Sequence, residues 1–352
     1  MRDKIIYILL FVFLLSSCKH EDLDIYEESE NYSNAADFLA NNYSLSLFHA
    51  ALKQANLLDL LKQEGPYTLF APDNNAFNAL GIVRASDFSS MNQDSLRAML
   101  LYHILPRRLY NRDIPNYTID NKYMNMVDKE VFIGYRFSNS CTSCNVLSEI
   151  YVNGSKSVYA TQNIALANGV LHVIDKVLKY DKTLQDVLTH RPEYSYFVAL
   201  LKRVGDWERL AQPRFTTVFA PDNQAFEKAG FTLEQINKLD PKVYQKRLWR
   251  VYWVDNHIFL SDMVIYGQLD GSGYYGAPFY KVPIIGDEDY YFGISAATPK
   301  EPFIIEKNPR STDIPIRKSN FQPDYRTDYK ADNGVLHGIT SLLVLPTEAK
   351  IK

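Results

Sequence analysis

The sequence is poor in cysteine: Cys18, Cys141 and Cys144 are the only three in 352 residues. A structural zinc site needs four ligands, and Cys141-Thr142-Ser143-Cys144 has no second pair to complete one. The expectation for Cys141 and Cys144 is a small disulfide at a loop tip or a reduced pair, not a redox centre. Charge of one sign is also scarce, with 38 basic against 41 acidic side chains and a formal net charge of −3. No dense Lys/Arg cluster occurs, which excludes the basic stripe of a nucleic-acid binder. Catalytic signatures are missing as well. There is no Gly-x-Ser-x-Gly elbow, no His-Glu-x-x-His, no Walker-type loop and no Gly-x-Gly-x-x-Gly following a strand. Acids are plentiful and any two are free to flank a sugar, so a glycan-degrading enzyme stays as a remote reading. No metal and no cofactor is expected. What is abundant is apolar and aromatic: 46% hydrophobic residues, with 25 Tyr and 19 Phe. That composition builds sizeable cores and favours strands with half-buried tyrosines.

Apolar runs are short after the first 15 residues, and none is long enough to span a bilayer. The first run follows Arg2 and Lys4, extends from Ile5 to Leu15 and stops at Leu15-Ser16-Ser17-Cys18. Its length suits a secretory signal peptide over residues 1–17. The small residues before Cys18 resemble the lipobox of bacterial lipoproteins, which implies cleavage before Cys18 and acylation of it. More than one acyl chain gives a stable anchor. Residues 18–33 then read as the lipidated Cys and an acidic tether, with Glu21, Asp22, Asp24, Glu27, Glu28 and Glu30 repelling one another. Lys19 followed by acids resembles the export tag of Bacteroidetes-type surface lipoproteins. The expected location is the outer membrane, lipid-anchored and facing the exterior.

An internal repeat organises the rest. Phe70-Ala71-Pro72-Asp73-Asn74-Asn75-Ala76-Phe77 returns as Phe219-Ala220-Pro221-Asp222-Asn223-Gln224-Ala225-Phe226, and Asn168-Gly169-Val170-Leu171-His172 as Asn333-Gly334-Val335-Leu336-His337. The β-branched and aromatic residues before Pro72 and Pro221 predict short strands. Proline cannot donate to a ladder and ends each strand. Asp73 and Asp222 are placed to cap a following helical turn, with Phe77 and Phe226 packing back. Asn168-Gly169 and Asn333-Gly334 read as turns, since both residue types tolerate positive φ. The apolar runs Val170–Leu178 and Val335–Leu345 read as closing strands. Helical spacing appears in Leu45–Leu61, Ser95–Leu105, Thr183–Val204 and Pro241–Tyr252. Residues 117–166 and 262–305 look strand-rich. The fold class is α+β, repeated twice.

Both motifs, in this order and in both halves, resemble the fasciclin domain. The resemblance covers about Ala35 to Pro346 and implies two β-sandwich or wedge domains, each with several helices. The expected boundaries are 34–180 for domain 1 and 181–347 for domain 2, with 348–352 as a tail. The family implies adhesion or protein binding, usually extracellular. In some animal members a Tyr-His pair on the last helix is tied to receptor binding. Tyr102-His103 matches that place, whereas Val251-Tyr252-Trp253-Val254 puts Trp253 where the histidine would stand. The competing reading has Tyr102 and His103 covering the core, His103 bonded to backbone. His172 and His337, without a Cys or carboxylate cluster beside them, read as structural.

The least repeated stretches are the best places for individual function. Tyr274, Tyr275, Tyr280, Tyr290 and Tyr291 crowd into 271–292, and with Tyr102 and His103 they form the candidate interaction surface. The expected partners are a host or cell-surface protein or glycan. The alternative is an accessory subunit of a starch-utilisation-type nutrient importer, docked on a TonB-dependent transporter barrel and its partner lipoprotein.

Overall fold

A computed structural model describes residues 32–138, 147–213, 215–266, 278–295, 301–307, 315–323 and 326–351. Cys18, Cys141, Cys144, Tyr274 and Tyr275 lie outside the described residues, as does the side chain of Tyr280. No described helix is long and apolar enough to cross a membrane.

The first half opens with helices α1 (Ala35–Ala40), α2 (Ser46–Gln54) and α3 (Leu58–Lys62). Leu47, Phe48, Ala51 and Leu52 bury one stripe of α2, the spacing of an amphipathic helix. Asn56, at φ 54, separates α2 from α3, so the run Leu45–Leu61 becomes two helices rather than one. Strand β1 (Tyr67–Pro72) follows, then α4 (Asn74–Asn78) and α5 (Gln93–Tyr102). The remaining strands are β2 (Ile104–Leu105), β3 (Thr118–Met124), β4 (Glu130–Ser138), β5 (Leu147–Val152), β6 (Ser155–Val158), β7 (Ile164–Leu166) and β8 (Gly169–Ile174). They make two four-stranded sheets, β2-β1-β8-β7 and β3-β4-β5-β6.

Strand β1 runs parallel to β8 and is buried along its whole length. Burial on both faces is what a parallel pair requires. Leu69 and Ala71 point into the helix layer with Phe48, Leu52, Phe77 and Leu100. Phe70 points the other way, into a second core with Val131, Ile133, Ile150 and Val152 of the antiparallel sheet. Helices, mixed sheet and antiparallel sheet thus form three layers around two cores.

The second half repeats the plan. Helices α6 (Leu184–Thr189), α7 (Ser195–Val204), α8 (Asn223–Lys228), α9 (Leu233–Lys238) and α10 (Arg247–Arg250) precede α11 (Leu260–Tyr266). Strands β10 (Thr216–Pro221) and β17 (Gly334–Ile339) are the parallel pair, flanked by β11 (Trp253–Val254) and β16 (Tyr329–Ala331). The register is the same in both halves: Phe70 faces His172, and Phe219 faces His337. The antiparallel sheet is β12 (Pro278–Ile284), β13 (Asp287–Ser295), β14 (Pro302–Glu306) and β15 (Arg317–Lys318).

Three local expectations need correction. The closing strands end at Ile174 and Ile339, short of Leu178 and Leu345, because the chain then turns to hydrogen-bond α5 and its counterpart. Gly169 and Gly334 are not at positive φ. A Cβ there would stand 2.3 Å from the Tyr67 carbonyl oxygen and 2.0 Å from that of Thr216, so glycine lets the paired strands approach. Residues 348–351 are no free tail: Ala349 is fully buried, and Lys350 bridges to Tyr244.

Residues from Ser33 onward form one compact unit. Between the halves, the short strand β9 (Tyr180–Asp181) joins the second-half sheet, parallel to β16. Helix α11 lies on the outer face of β3 and β4, where Arg136 donates to the Val264 carbonyl at 3.4 Å. Phe132 of β4 stacks against His257 at 4.1 Å and packs on Phe259 at 6.1 Å. Ion pairs Lys176–Asp328 (2.9 Å) and Lys129–Asp332 (2.7 Å) cross the same junction.

Candidate functional site

The repeated polar residues serve the backbone. Asp73 and Asp222 each accept an N–H at 2.8 Å, from Ala76 and Ala225, and so cap α4 and α8. Asn168 donates to the carbonyls of Leu61 and Gln63 and accepts from the Ala35 N–H. Asn333 does the same with Leu210, Gln212 and Leu184. The motif therefore ties the first helix of each half to the chain entering its first strand.

His172 and His337 are fully buried and stacked on Phe70 and Phe219, at 5.7 and 5.4 Å. In each, Nε2 meets a carbonyl oxygen, Leu109 at 2.9 Å and Ile258 at 2.8 Å. Each Nδ1 meets a backbone N–H, Asn163 at 3.3 Å and Asp328 at 3.2 Å. That pairing fixes the neutral tautomer with the proton on Nε2. Burial pushes His172 down to about 4 and lowers His337 as well.

Tyr102 and His103 do not form a surface. Tyr102 is 2% exposed and His103 is fully buried. The Tyr102 hydroxyl donates to the Glu130 carbonyl and accepts from Asn153 at 2.9 Å, and its ring stacks on Tyr180 at 5.3 Å. His103 Nδ1 donates to the Met99 carbonyl at 2.8 Å, and its Nε2 accepts the Leu178 N–H at 2.9 Å. Burial pushes His103 down to about 4. The ladder register also moves the counterpart of His103. Leu69 faces Ile104 and Val218 faces Trp253, so Tyr252, not Trp253, stands in the place of His103.

Tyr290 and Tyr291 are half-buried on β13. Tyr290 packs on the second-half core, with the Arg247 guanidinium 4.1 Å over its ring. Tyr291 lies under Lys281 at 4.8 Å. Each ring thus keeps part of its face open beside a cation.

The junction of the halves carries what sequence reading misses. His257 Nδ1 is 3.1 Å from Asp120 of the first half, and burial lowers its pKa although Asp120 opposes. Burial works against the Asp328 charge too. Lys176, His337 and the Leu260 N–H outweigh it and hold the carboxyl below its usual range. Beside these groups lies a cleft lined by Leu178, Lys179, Tyr180 and Arg191. Among the described residues, no three metal-ligating side chains stand together.

The model of the fasciclin domain matches residues 43–180 and again residues 192–346. This chain belongs to the fasciclin family. Human periostin is 32% identical over 198 residues, which is 53% of this chain and 20% of periostin. Protein sll1483 of Synechocystis sp. is 31% identical over 141 residues, 40% of this chain and 69% of that protein. This chain therefore spans a fifth of periostin but over two thirds of the cyanobacterial protein. Among solved structures, a domain pair from the insect cell adhesion molecule fasciclin I is 19% identical. It covers 86% of this chain and 97% of its own, with a TM-score of 0.36.

Within this fasciclin pair, the sequence motifs mark each domain's interior. The junction residues Phe132, His257 and Asp328 belong to neither motif. Only their departure from the repeat signals them, since His257 and Asp328 have Arg108 and Asn163 at the corresponding places around the structural histidines.

Proposed function

We propose that this protein is a non-enzymatic binding protein of the outer membrane. It is held by acyl chains on Cys18, faces the exterior, and mediates adhesion or protein/glycan recognition through its two fasciclin domains. The observation that carries the binding role is the fasciclin match over both halves of the chain, while the anchor rests on the apolar run and small residues before Cys18. Supporting it, Asp73, His103, Asn168 and His172 are engaged with backbone groups, an arrangement that suits scaffolding more than turnover. Tyr290 and Tyr291 on β13, each beside a cation, supply part of the contact surface.

The test is gentle detergent extraction of native outer membrane through a C-terminal tag, with co-purifying proteins identified by mass spectrometry. In parallel, Cys18→Ser should move the protein from the membrane to the soluble fraction. Recovery of the protein alone, with binding to glycan arrays or host surfaces, upholds adhesion. Recovery of a transporter barrel and its partner lipoprotein in near-equal amounts makes it an importer subunit instead. Turnover of a glycan, lost on changing one carboxylate, would sink the non-enzymatic reading.

A further inference from the structure

Two cavities meet at the junction of the domains. One, of about 130 Å³, is walled by Ala76, Leu80, Val177 and Tyr329, with Lys176 and Asp328 also in its wall. The other, of about 350 Å³, lies between α5 and the linker, among Met99, Tyr180, Asp181 and Arg191. Leu178 and Lys179 line both, so the two adjoin along this segment. The larger part falls in the size range of small-molecule sites, roughly 300–1,000 Å³.

The charges of this cleft are matched except for one. Asp181 lies 3.5 Å from Arg191 and 3.6 Å from His190. Asp328 pairs with Lys176 at 2.9 Å and accepts the Leu260 N–H. Asp175 accepts from the Ser155 hydroxyl and the Lys156 N–H. Arg191 also donates to the Val187 carbonyl and covers the Tyr329 ring at 3.9 Å. Among the described wall residues, Lys179 is the charged side chain with no hydrogen bond or ion pair to the protein. Lys179 keeps solvent contact at the mouth of the cleft; partial desolvation there and the neighbouring Arg191 push its ammonium below the usual range, with Asp181 partly opposing. An anion brought to Lys179 would relieve both effects.

We propose that this cleft binds a small carboxylate with an apolar body. The Lys179 ammonium takes the carboxylate by a charge-assisted hydrogen bond, and the apolar body lies along Leu178, Met99 and Tyr180. A single free ammonium beside Asp181 suits a monoanion. A phosphate dianion would need further cations or N–H groups, and would be repelled by Asp181 more strongly than a monoanion is.

The probe is 4-phenylbutyrate, titrated calorimetrically into the purified full-length protein, with 4-phenylbutyramide and inorganic phosphate alongside. Saturable binding of the carboxylate is expected, about tenfold tighter than the amide, with no measurable binding of phosphate. Lys179→Met should weaken it about tenfold or more, and Lys179→Arg by less than about threefold. Lys179 and Ala98 are both exposed, so substitution there leaves the fold intact. Ala98→Trp, across the cleft, should abolish binding by filling the space while leaving Lys179 in place. The proposal is overturned by any one of four results. These are no saturable binding up to about 20 mM, equal affinity for acid and amide, unchanged affinity in Lys179→Met, or phosphate binding as tightly as the carboxylate.

Discussion

The imidazole of His103 and the phenol of Tyr252 perform one task in two domains. His103 Nε2 accepts the Leu178 N–H at 2.9 Å, and the Tyr252 hydroxyl accepts the Leu343 N–H at 3.1 Å. Both acceptors reach from the end of a helical segment to the chain just beyond the closing strand. The position therefore demands a buried acceptor of sufficient reach, and acid–base chemistry plays no part. A receptor-type Tyr-His reading of this place is incompatible with side chains so deeply enclosed.

His103→Phe should keep the ring packing on Phe48 but strand the Leu178 N–H and the Met99 carbonyl. The expected loss is about 2–4 kcal/mol, since each unpaired buried polar group costs about 1–3 kcal/mol. His103→Gln should recover part of it. Urea unfolding followed by circular dichroism checks both, and a Phe variant as stable as the native protein would contradict the assignment.

Acid should weaken the fold through its buried histidines. His103 and His172 have an ordinary value of 6.5 and are held down to about 4 in the native protein, chiefly by burial. Between those values the unfolded chain binds more protons than the folded one. Stability from these groups is thus complete above 6.5 and is lost as pH falls toward 4. Asp262, whose carboxyl burial pushes well up, acts in the opposite sense, so the clean readout is a difference. His172→Gln should flatten the dependence of unfolding free energy on pH by up to about 1.4 kcal/mol per pH unit in that window. Denaturant titrations at a series of pH values measure it.

Gly334→Ala should be among the most damaging single-methyl additions in the protein. The new Cβ would meet the Thr216 carbonyl oxygen at 2.0 Å and a Leu184 methyl at 2.8 Å. Either β10 and β17 separate or the pairing register breaks. The expected cost is about 3 kcal/mol or more, above ordinary overpacking. Gly81→Ala has open space around it and pays only for its positive φ, about 1 kcal/mol. Thermal unfolding of the two variants should therefore differ widely; similar losses would contradict the close-approach argument.

Phe132→Ala should uncouple the domains more than it harms either one. Its ring belongs to a small cluster with Phe259 and Val335 and stacks on His257. The expected loss is about 3–5 kcal/mol, as for other buried phenylalanines. Calorimetry should show one transition in the native protein and two in the variant. A single, uniformly lowered transition would mean that the domains do not unfold separately.

Legibility followed distance along the chain. The repeat, the strand before Pro72, the Asp73 cap and the parallel closing strand are local signals, and each reads directly from neighbouring residues. The role of Asn168 was harder, because its partners Ala35 and Leu61 are more than 100 residues away in sequence. The placement of Trp253 opposite His103 failed for a related reason. The Tyr-Trp spelling invites alignment by likeness, whereas ladder register fixes the position by hydrogen bonding. The reading in which Tyr102 covers the core holds, but its partners were illegible, since Asn153, Glu130 and Tyr180 arrive from three other segments. The carboxylate cleft exists only once β9 adds to the second sheet, and no periodicity announces that pairing.

Strand β9 shortens the free connection between the domains, because two of the residues that join them pair with β16 of the second-half sheet. The pair therefore behaves as a ruler. A partner whose two epitopes match the fixed spacing engages both domains at high effective concentration, whereas a mismatched partner gains only the affinity of one. Under the binding role proposed above, selectivity for partner geometry would rest on this two-residue strand.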